Sequence, residues 1–462
     1  MIPRQYRIRL RIMGCPLSYA RHVNVRSHCG YLPIRHSILW GATCVVVLTV
    51  GAEHAYAAVD YRDTLYRDTL QKAVDPPGDI DVNAGDFFNV YAADQESFDN
   101  NLFRLPSSVT DVSGAVGANA SRQDHINSAS AGLDGQWNLG RQIVAVNLRA
   151  DDNRYARNTD LNNVSSSDKV VWNWALADSL SGQVGADYTR SIASFVNTNV
   201  YTRNLVSQAE YFGGARYQVG PRWAIFGGVL QANTRLSALA SKANNSDRKS
   251  VEFGTEYATG AKDSVGLEYR YTDTTYPNAL VATASPFSPD YKEDRARAYV
   301  IYALSDKTLV DASAGYLRRD YPSHAVGGYS GAIGRASIQW QPSEKTQLVA
   351  VGWRELHAYP TAESDYYVSD GVSVSPIWTA SEKINISLLF SSEKQDYIGS
   401  TPGIAVEDTR HDKVFAEQVA AIYTPIKFLI LNFSIRREQR SSNQNQFEYN
   451  DTLAAVGVTG KF

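Results

Sequence analysis

Five arginines set the first question. Arg149, Arg270, Arg295, Arg297 and Arg354 each fall on the polar side of a stretch in which every second residue is apolar or small, and Glu268 and Tyr299 share that side. A guanidinium is a planar donor fork suited to the carboxylates of an acidic polymer. The Tyr299 ring offers a face on which a sugar can stack. The same residues also build Arg–Glu and Arg–Asp ladders that simply hold a wet interior together, and both readings stand at this point.

Other chemistry finds little support. His125, His324, His357 and His411 are the only histidines after residue 57, and none is paired at HxxxH or HExxH spacing, so no metal site is expected. Cys15, Cys29 and Cys44 all precede residue 58, which leaves the rest of the chain without a disulfide, a thiol nucleophile or a thiolate ligand. Gly457-Val458-Thr459-Gly460-Lys461 lacks the spacing and the following helix of a phosphate-binding loop. Gly328, Gly331 and Gly334 imitate part of a Gly-rich fingerprint, but within an alternating strand they read as turn and lumen glycines. No GxSxG elbow surrounds a serine. The expectation is a protein without cofactor or catalytic centre.

The elements that carry the arginines are strands. Val144, Val146, Leu148 and Ala150 alternate with Ala145, Asn147 and Arg149; Val265, Leu267, Tyr269 and Tyr271 with Gly266, Glu268, Arg270 and Thr272. Ala296, Ala298, Val300, Tyr302 and Leu304 alternate with Arg295, Arg297, Tyr299, Ile301 and Ala303; Val349, Val351 and Trp353 with Ala350, Gly352 and Arg354. Period two over about ten residues is the signature of a tilted transmembrane strand. A soluble sheet turns its apolar face inward. A membrane barrel turns it to lipid and leaves the charges around a wet lumen.

The last stretch, Phe447–Phe462, organises the rest. Ala454, Val456, Val458, Gly460 and Phe462 share one face of a strand that ends the chain on an aromatic residue. Exposed and unpaired, such a strand invites aggregation. In a closed barrel it pairs on both sides, and a terminal Phe462 resembles the assembly signal of outer-membrane barrels. Short connections (Asn138-Leu139-Gly140, Ala177-Asp178-Ser179, Val219-Gly220-Pro221, Thr259-Gly260-Ala261, Ser305-Asp306-Lys307, Gln341-Pro342-Ser343, Thr379-Ala380-Ser381, Thr424-Pro425-Ile426) alternate with longer polar stretches such as 154–168, 239–249, 274–291 and 396–411. Short periplasmic turns and long extracellular loops alternate in this way. With a first strand at about 85–98 and a last at 447–462, the fold class is an all-β, up-and-down antiparallel transmembrane barrel of about 18 strands, 16 being the alternative. Trp172, Trp174, Trp223, Trp353 and Trp378 read as interface-belt anchors.

Composition agrees. The chain is 44% hydrophobic and 20% charged, too polar for a helical membrane protein, and its 28 tyrosines outnumber its 15 phenylalanines. Ile38–Val50 is an apolar run shorter than a membrane span, preceded by Arg35 and followed by Ala55-Tyr56-Ala57. Residues 1–57 therefore read as a basic extension with a secretory signal peptide. Residues 58–84, with a doubled YRDTL and a Pro-Pro-Gly breaker, form a periplasmic segment, and 85–462 the barrel. Beyond residue 57 stand 38 basic and 47 acidic residues, a net charge of −9 that argues against nucleic acid.

A series of motifs adds a resemblance: Asn101-Leu102-Phe103-Arg104-Leu105-Pro106, Gly140-Arg141-Gln142, Asn153-Arg154-Tyr155, Trp172-Asn173-Trp174 running into Leu180-Ser181-Gly182, Ser194-Phe195 and Arg203-Asn204. From about 85 to 225 the chain resembles the EpsL-type outer-membrane barrels associated with exopolysaccharide biosynthesis and exosortase systems. The resemblance implies a bacterial outer-membrane protein serving export or assembly of a secreted polysaccharide. It implies the lipid bilayer, the barrel-assembly machinery, the polysaccharide and periplasmic export components as partners, and no catalytic site. A general diffusion porin fits the strand pattern equally well. An outer-membrane lipid- or polymer-modifying hydrolase is the third reading.

Overall fold

A computed structural model describes residues 85–197, 201–260, 263–279, 289–322, 328–359, 366–398 and 409–462. The expected signal peptide and the segment 58–84 lie outside the described residues. Eighteen strands run up and down: β1 (Phe87–Asp99), β2 (Asp124–Leu139), β3 (Gln142–Tyr155), β4 (Asn163–Leu176), β5 (Leu180–Ile192), β6 (Leu205–Val219), β7 (Trp223–Leu236), β8 (Ser246–Ala258), β9 (Ser264–Thr275), β10 (Tyr291–Ser305), β11 (Thr308–Asp320), β12 (Tyr329–Ser343), β13 (Thr346–Ala358), β14 (Tyr366–Ser381), β15 (Ile384–Ile398), β16 (His411–Ile426), β17 (Leu429–Ser442) and β18 (Tyr449–Lys461). Each pairs with the next, and β18 returns to β1, so the sheet has no edge. The closing register runs from Tyr91 opposite Lys461 to Asp99 opposite Leu453. Phe462 extends it, donating its N–H to the Val90 carbonyl (2.8 Å) and accepting from the Val90 N–H (3.1 Å).

Three of the short connections sit two residues later than their sequence suggests. Gln341-Pro342-Ser343, Thr379-Ala380-Ser381 and Thr424-Pro425-Ile426 are strand ends, and the turns fall at 344–345, 382–383 and 427–428. In each case the ladder shifts register, between Trp340 and Ser343, Thr379 and Ser381, and Tyr423 and Ile426. A bulge leaves residues unpaired, so Pro342 and Pro425 occupy places where no ladder N–H is needed.

Alternation separates two surfaces. Outward on β10 lie Leu304, Tyr302, Val300, Ala298 and Ala296 before Asp294 interrupts; on β9, Val265, Leu267, Tyr269 and Tyr271 precede Asp273. Four or five outward residues on a tilted strand span about 25 Å, the height of a barrel's hydrocarbon band. Val229, Phe253, Leu267 (61%), Phe390 and Val456 are exposed there, an arrangement that lipid, not water, explains. Trp172, Trp223 and Trp378 are exposed on the same surface. Inward faces are polar: Gln95, Asp151, Gln183, Glu252, Glu268, Arg319, Gln395 and Arg440 are all buried. Large inward rings lie over glycines of neighbouring strands, Tyr299 over Gly266 and Trp353 over Gly371, where any Cβ would overlap the ring. Among the described residues no helix is long and apolar enough to cross a membrane.

Candidate functional site

The charged wall of the lumen is built by β8, β9 and β10. Register places Arg270 opposite Arg295 and Glu268 opposite Arg297. Two like charges facing each other destabilise a sheet unless carboxylates intervene, and here they do. Glu268 receives Arg295 Nη2 (2.8 Å) on one oxygen and Arg297 Nε (3.0 Å) on the other. Glu252 receives Arg270 Nε (2.7 Å). Glu256 accepts the Tyr299 hydroxyl (3.0 Å) and pairs with Arg216 Nη2 (2.7 Å). Arg295 also lies 3.9 Å from Glu252, so Glu252, Glu268, Arg270, Arg295 and Arg297 form one network, with Tyr299, Glu256 and Arg216 a second set beside it. Arg149 stands apart on β3, its Nε on Asp151 (2.7 Å) and its Nη2 on the Ser130 hydroxyl (3.0 Å).

Arg354 stands outside this network. It lies on the face of β13 opposite to Trp353, Glu355 and His357 and pairs with Asp370 (2.6 Å). The alternation of Val349, Val351 and Trp353 with Ala350, Gly352 and Arg354 was real, but its two faces are exchanged. The Trp353 indole N–H donates to Ser369 Oγ (2.9 Å), and Ser369 is buried among inward residues. Trp353 is accordingly no interface anchor. Gly371 provides the inward space that made the bulkier face the inner one.

The extracellular end of the lumen is filled by chain that the alternation could not reveal. The β1–β2 connection (100–123), which includes a short helix α1 (Val112–Val116), folds onto the inner face. There Leu102, Phe103 and Leu105 form a buried cluster with Ile126 of β2, Tyr155 of β3, Leu161 and Phe195. Phe103 meets Phe195 edge-on at 5.0 Å and Tyr201 at 5.8 Å. Burial raises the Tyr201 phenol above its ordinary range and lowers the Arg122 guanidinium. Arg104 takes a left-handed backbone (φ 55°) that aims its side chain at the wall. It pairs with Asp99 of β1 (3.0 Å) and Asp451 of β18 (3.1 Å), all three side chains being at most 8% exposed. Asn101 ties the turn internally, donating to the Leu105 carbonyl (2.9 Å) and accepting from the Leu105 N–H (3.0 Å), while its Nδ2 also reaches the Asn450 carbonyl (2.9 Å). Pro106 closes the motif by accepting from Arg122 (3.2 Å).

The β5–β6 connection crosses the mouth. Val196 and Asn197 of that connection reach Arg440 of β17 and Arg410, the residue before β16, across the opening. Arg440 of β17 donates to the Val196 carbonyl (3.0 Å) and to Asn197 Oδ1 (2.8 Å), and Arg410 donates to the same Oδ1 (3.0 Å). A third intrusion comes from β13–β14. The β12–β13 ladder ends at Gly334 opposite Arg354, and above that point Leu356, Tyr366 and Val368 pack against Tyr291, Leu317, Tyr321 and Tyr329, lumen-side residues of β10 to β12 and their connection. The hairpin end therefore bends inward over the opening.

Motif residues scattered through the first third of the chain thus converge: Asn101–Pro106, Tyr155, Phe195 and Asn204, whose carbonyl accepts the Ala193 N–H (2.6 Å), meet at one mouth. Arg410, Asp412, Arg440 and Asn197 are participants that sequence reasoning missed. One signal was present: the connections 100–123 and 193–204 carry Leu102, Phe103, Leu105, Phe195 and Val196, too apolar for solvated loops. His411 pairs with Asp396 (2.7 Å) and His357 stacks on Tyr367 (4.8 Å), while His324 lies outside the described residues. Among the described residues no three His, Cys, Asp or Glu side chains gather as metal ligands would.

A family model described as "Putative beta-barrel porin 2" matches residues 291–462, from the first residue of β10 to the C-terminus. No curated protein matches the sequence. Among solved structures the chain is similar to the outer membrane protein OpdK of Pseudomonas aeruginosa, at 9% identity and TM-score 0.43, over 81% of this chain and 99% of that one. It is similar to OccK2 (OpdF) of the same organism in complex with glucuronate, at 10% identity and TM-score 0.46, over 82% and 100%. It is also similar to the alcaligin receptor FauA of Bordetella pertussis, at 11% identity and TM-score 0.40, over 80% and 76%. A closed barrel of eighteen strands with an apolar outer band and a charged lumen is the architecture of a porin-like protein of the bacterial outer membrane.

Proposed function

We propose that this barrel is a conduit taking part in export of an extracellular polysaccharide. The observation that supports this best is the convergence of the Asn101–Pro106 motif, Tyr155 and Phe195 on the inward-folded mouth. A mouth narrowed by three separate segments suits a slender chain better than a broad range of solutes, and the Arg–Glu wall with Tyr299 offers hydrogen-bonding partners along the path. The roles of Arg149, Glu268, Arg270, Arg295, Arg297 and Tyr299 as path residues belong to this proposal, as does Phe462 as the signal read by the barrel-assembly machinery. Periplasmic export components complete the route. No reaction is assigned to the protein.

Deleting the gene tests the reading: polymer trapped in the periplasm supports it, and normal secretion ends it. A general diffusion porin is the second reading, favoured by the porin family model over 291–462. Planar-bilayer conductance separates the two. Block by acidic oligosaccharides but not by small sugars favours the conduit, and indifference to both favours the porin.

A further inference from the structure

The outer wall carries a charged row that the lumen does not use. Register links one outward residue on each of five successive strands: Arg354 on β13, Asp370 on β14, Lys394 on β15, Lys413 on β16 and Ser441 on β17. Arg354 Nη1 donates to both Asp370 oxygens (2.8 and 2.6 Å). Lys394 pairs with Asp396, two residues further along its strand (2.7 Å), and His411 shares that carboxylate (2.7 Å). Lys413 stands directly opposite Lys394, and among the described residues it makes no ion pair. The next outward acid on β16, Glu417, has its own basic neighbour in Arg437. Three cations of the face thus meet two acids, and the unmatched charge is Lys413. Like charges directly opposite destabilise an antiparallel pair, so this face is suited to an anion from outside.

The row lies where the apolar band ends. One step below it on the same face come Gly352, Val372, Ser392 and Phe415, and Val372, Phe415 and Phe390 are exposed there. Above it begin the extracellular connections, so its cations stand at the level of lipid headgroups in the outer leaflet. Beneath Arg354 the wall is hollowed. Ala298, Ala312, Ala314, Gly334, Ala336 and Gly352 share the outward face by register and line an apolar trough of about 810 Å³, with Gly334 directly opposite Arg354. A hydrocarbon chain seated in that trough has a cation at its upper end. A phosphate monoester carries close to two negative charges at neutral pH, and lysine serves it as a point charge. We propose that this face binds an outer-leaflet lipid whose headgroup bears phosphate monoesters, the phosphates on Lys413, Lys394 and Arg354 and a chain in the trough. The site belongs to the outer wall and stands whatever the lumen carries.

Lipid binding to the purified barrel tests this. The protein in detergent is titrated with lipid A, a diglucosamine lipid bearing two phosphate monoesters, or with the same lipid dephosphorylated, and bound lipid is counted by native mass spectrometry. Inorganic phosphate is added as a competitor. The phosphorylated lipid should bind far more tightly than its dephosphorylated form, and millimolar inorganic phosphate should not displace it. Lys394→Gln with Lys413→Gln should weaken its binding about thirtyfold, each basic residue at a lipid surface being worth about a factor of five. Both lysines are exposed on the wall, and heat-modifiable migration shows whether the double variant is folded. Lys249→Gln, which removes an outward lysine on β8, should leave the affinity unchanged. Equal affinity for the two lipids, equal affinity of the parent and the folded double variant, an equal loss in Lys249→Gln, or displacement by inorganic phosphate overturns the site.

Discussion

Replacing Arg104 by alanine removes a cation that pairs with two buried acids. Asp99 and Asp451 are each contacted by Arg104, at 3.0 and 3.1 Å, with side-chain exposures of 6% and 1%. The backbone tolerates the change, because alanine pays no more than arginine for the left-handed φ of 55°. The cost is electrostatic. Removing one partner of a buried ion pair costs about 3–5 kcal/mol, since it strands the remaining charge. At about 1.4 kcal/mol per decade that raises the open population of the β1–β2 loop by roughly two to four decades. The barrel ladder itself is untouched, so the opening is local. The assay is limited trypsin digestion of folded protein in vesicles, read at Arg122 within the loop. Arg104→Ala should be cut far faster than the parent while the barrel core survives. Adding Asp99→Asn and Asp451→Asn should restore most of the protection, because no charge is then left unpaired. Equal protection of Arg104→Ala and the parent, or no recovery in the triple variant, refutes this account of the mouth.

Other outcomes follow from the same contacts. Phe103→Ala removes an edge-on ring contact with Phe195 and burial at 2% exposure; large-to-small changes of this kind cost about 3–5 kcal/mol, and digestion at Arg122 and Arg203 should rise together. Glu268→Gln leaves Arg295 and Arg297 without the carboxylate they share, so reversal potentials in a salt gradient should shift toward anion selectivity. Gly266→Ala forces the Tyr299 ring out of its seat and breaks the hydroxyl bond to Glu256, and single-channel conductance should change although the variant still folds. Deleting Phe462 removes both bonds to Val90 at the closing seam, and the yield of heat-modifiable folded barrel from cells should fall steeply.

Much of the wall was legible because alternation is a local property. Glu268 and Arg270, or Arg295, Arg297 and Tyr299, needed only their immediate neighbours to declare a face, and the count of eighteen followed from turns that recur on schedule. Arg354 shows where the rule fails. Alternation gives two faces but not which is inner, and Trp353 turned inward because a glycine on another strand, Gly371, made room for it. Likewise Pro342 and Pro425 signalled an end to pairing, whereas a bulge carries each strand past them. The contact between the β5–β6 connection and Arg440 was invisible for a different reason. Asn197 and Arg440 are 243 residues apart, and only the closure of the sheet, which sets β6 across from β17, brings them within bonding distance. The apolar residues of the first and third extracellular connections were the nearest thing to a warning, since a solvated loop has no use for Phe103 and Phe195 side by side.

The central claim, lipid outside and water within, is tested most directly by a cysteine scan of β10. Single substitutions from Arg295 to Tyr302, made in the cysteine-free barrel and inserted in vesicles, are treated with a water-soluble maleimide. The account predicts labelling at 295, 297, 299 and 301 and protection at 296, 298, 300 and 302. Uniform labelling along the strand, or the opposite alternation, would contradict it.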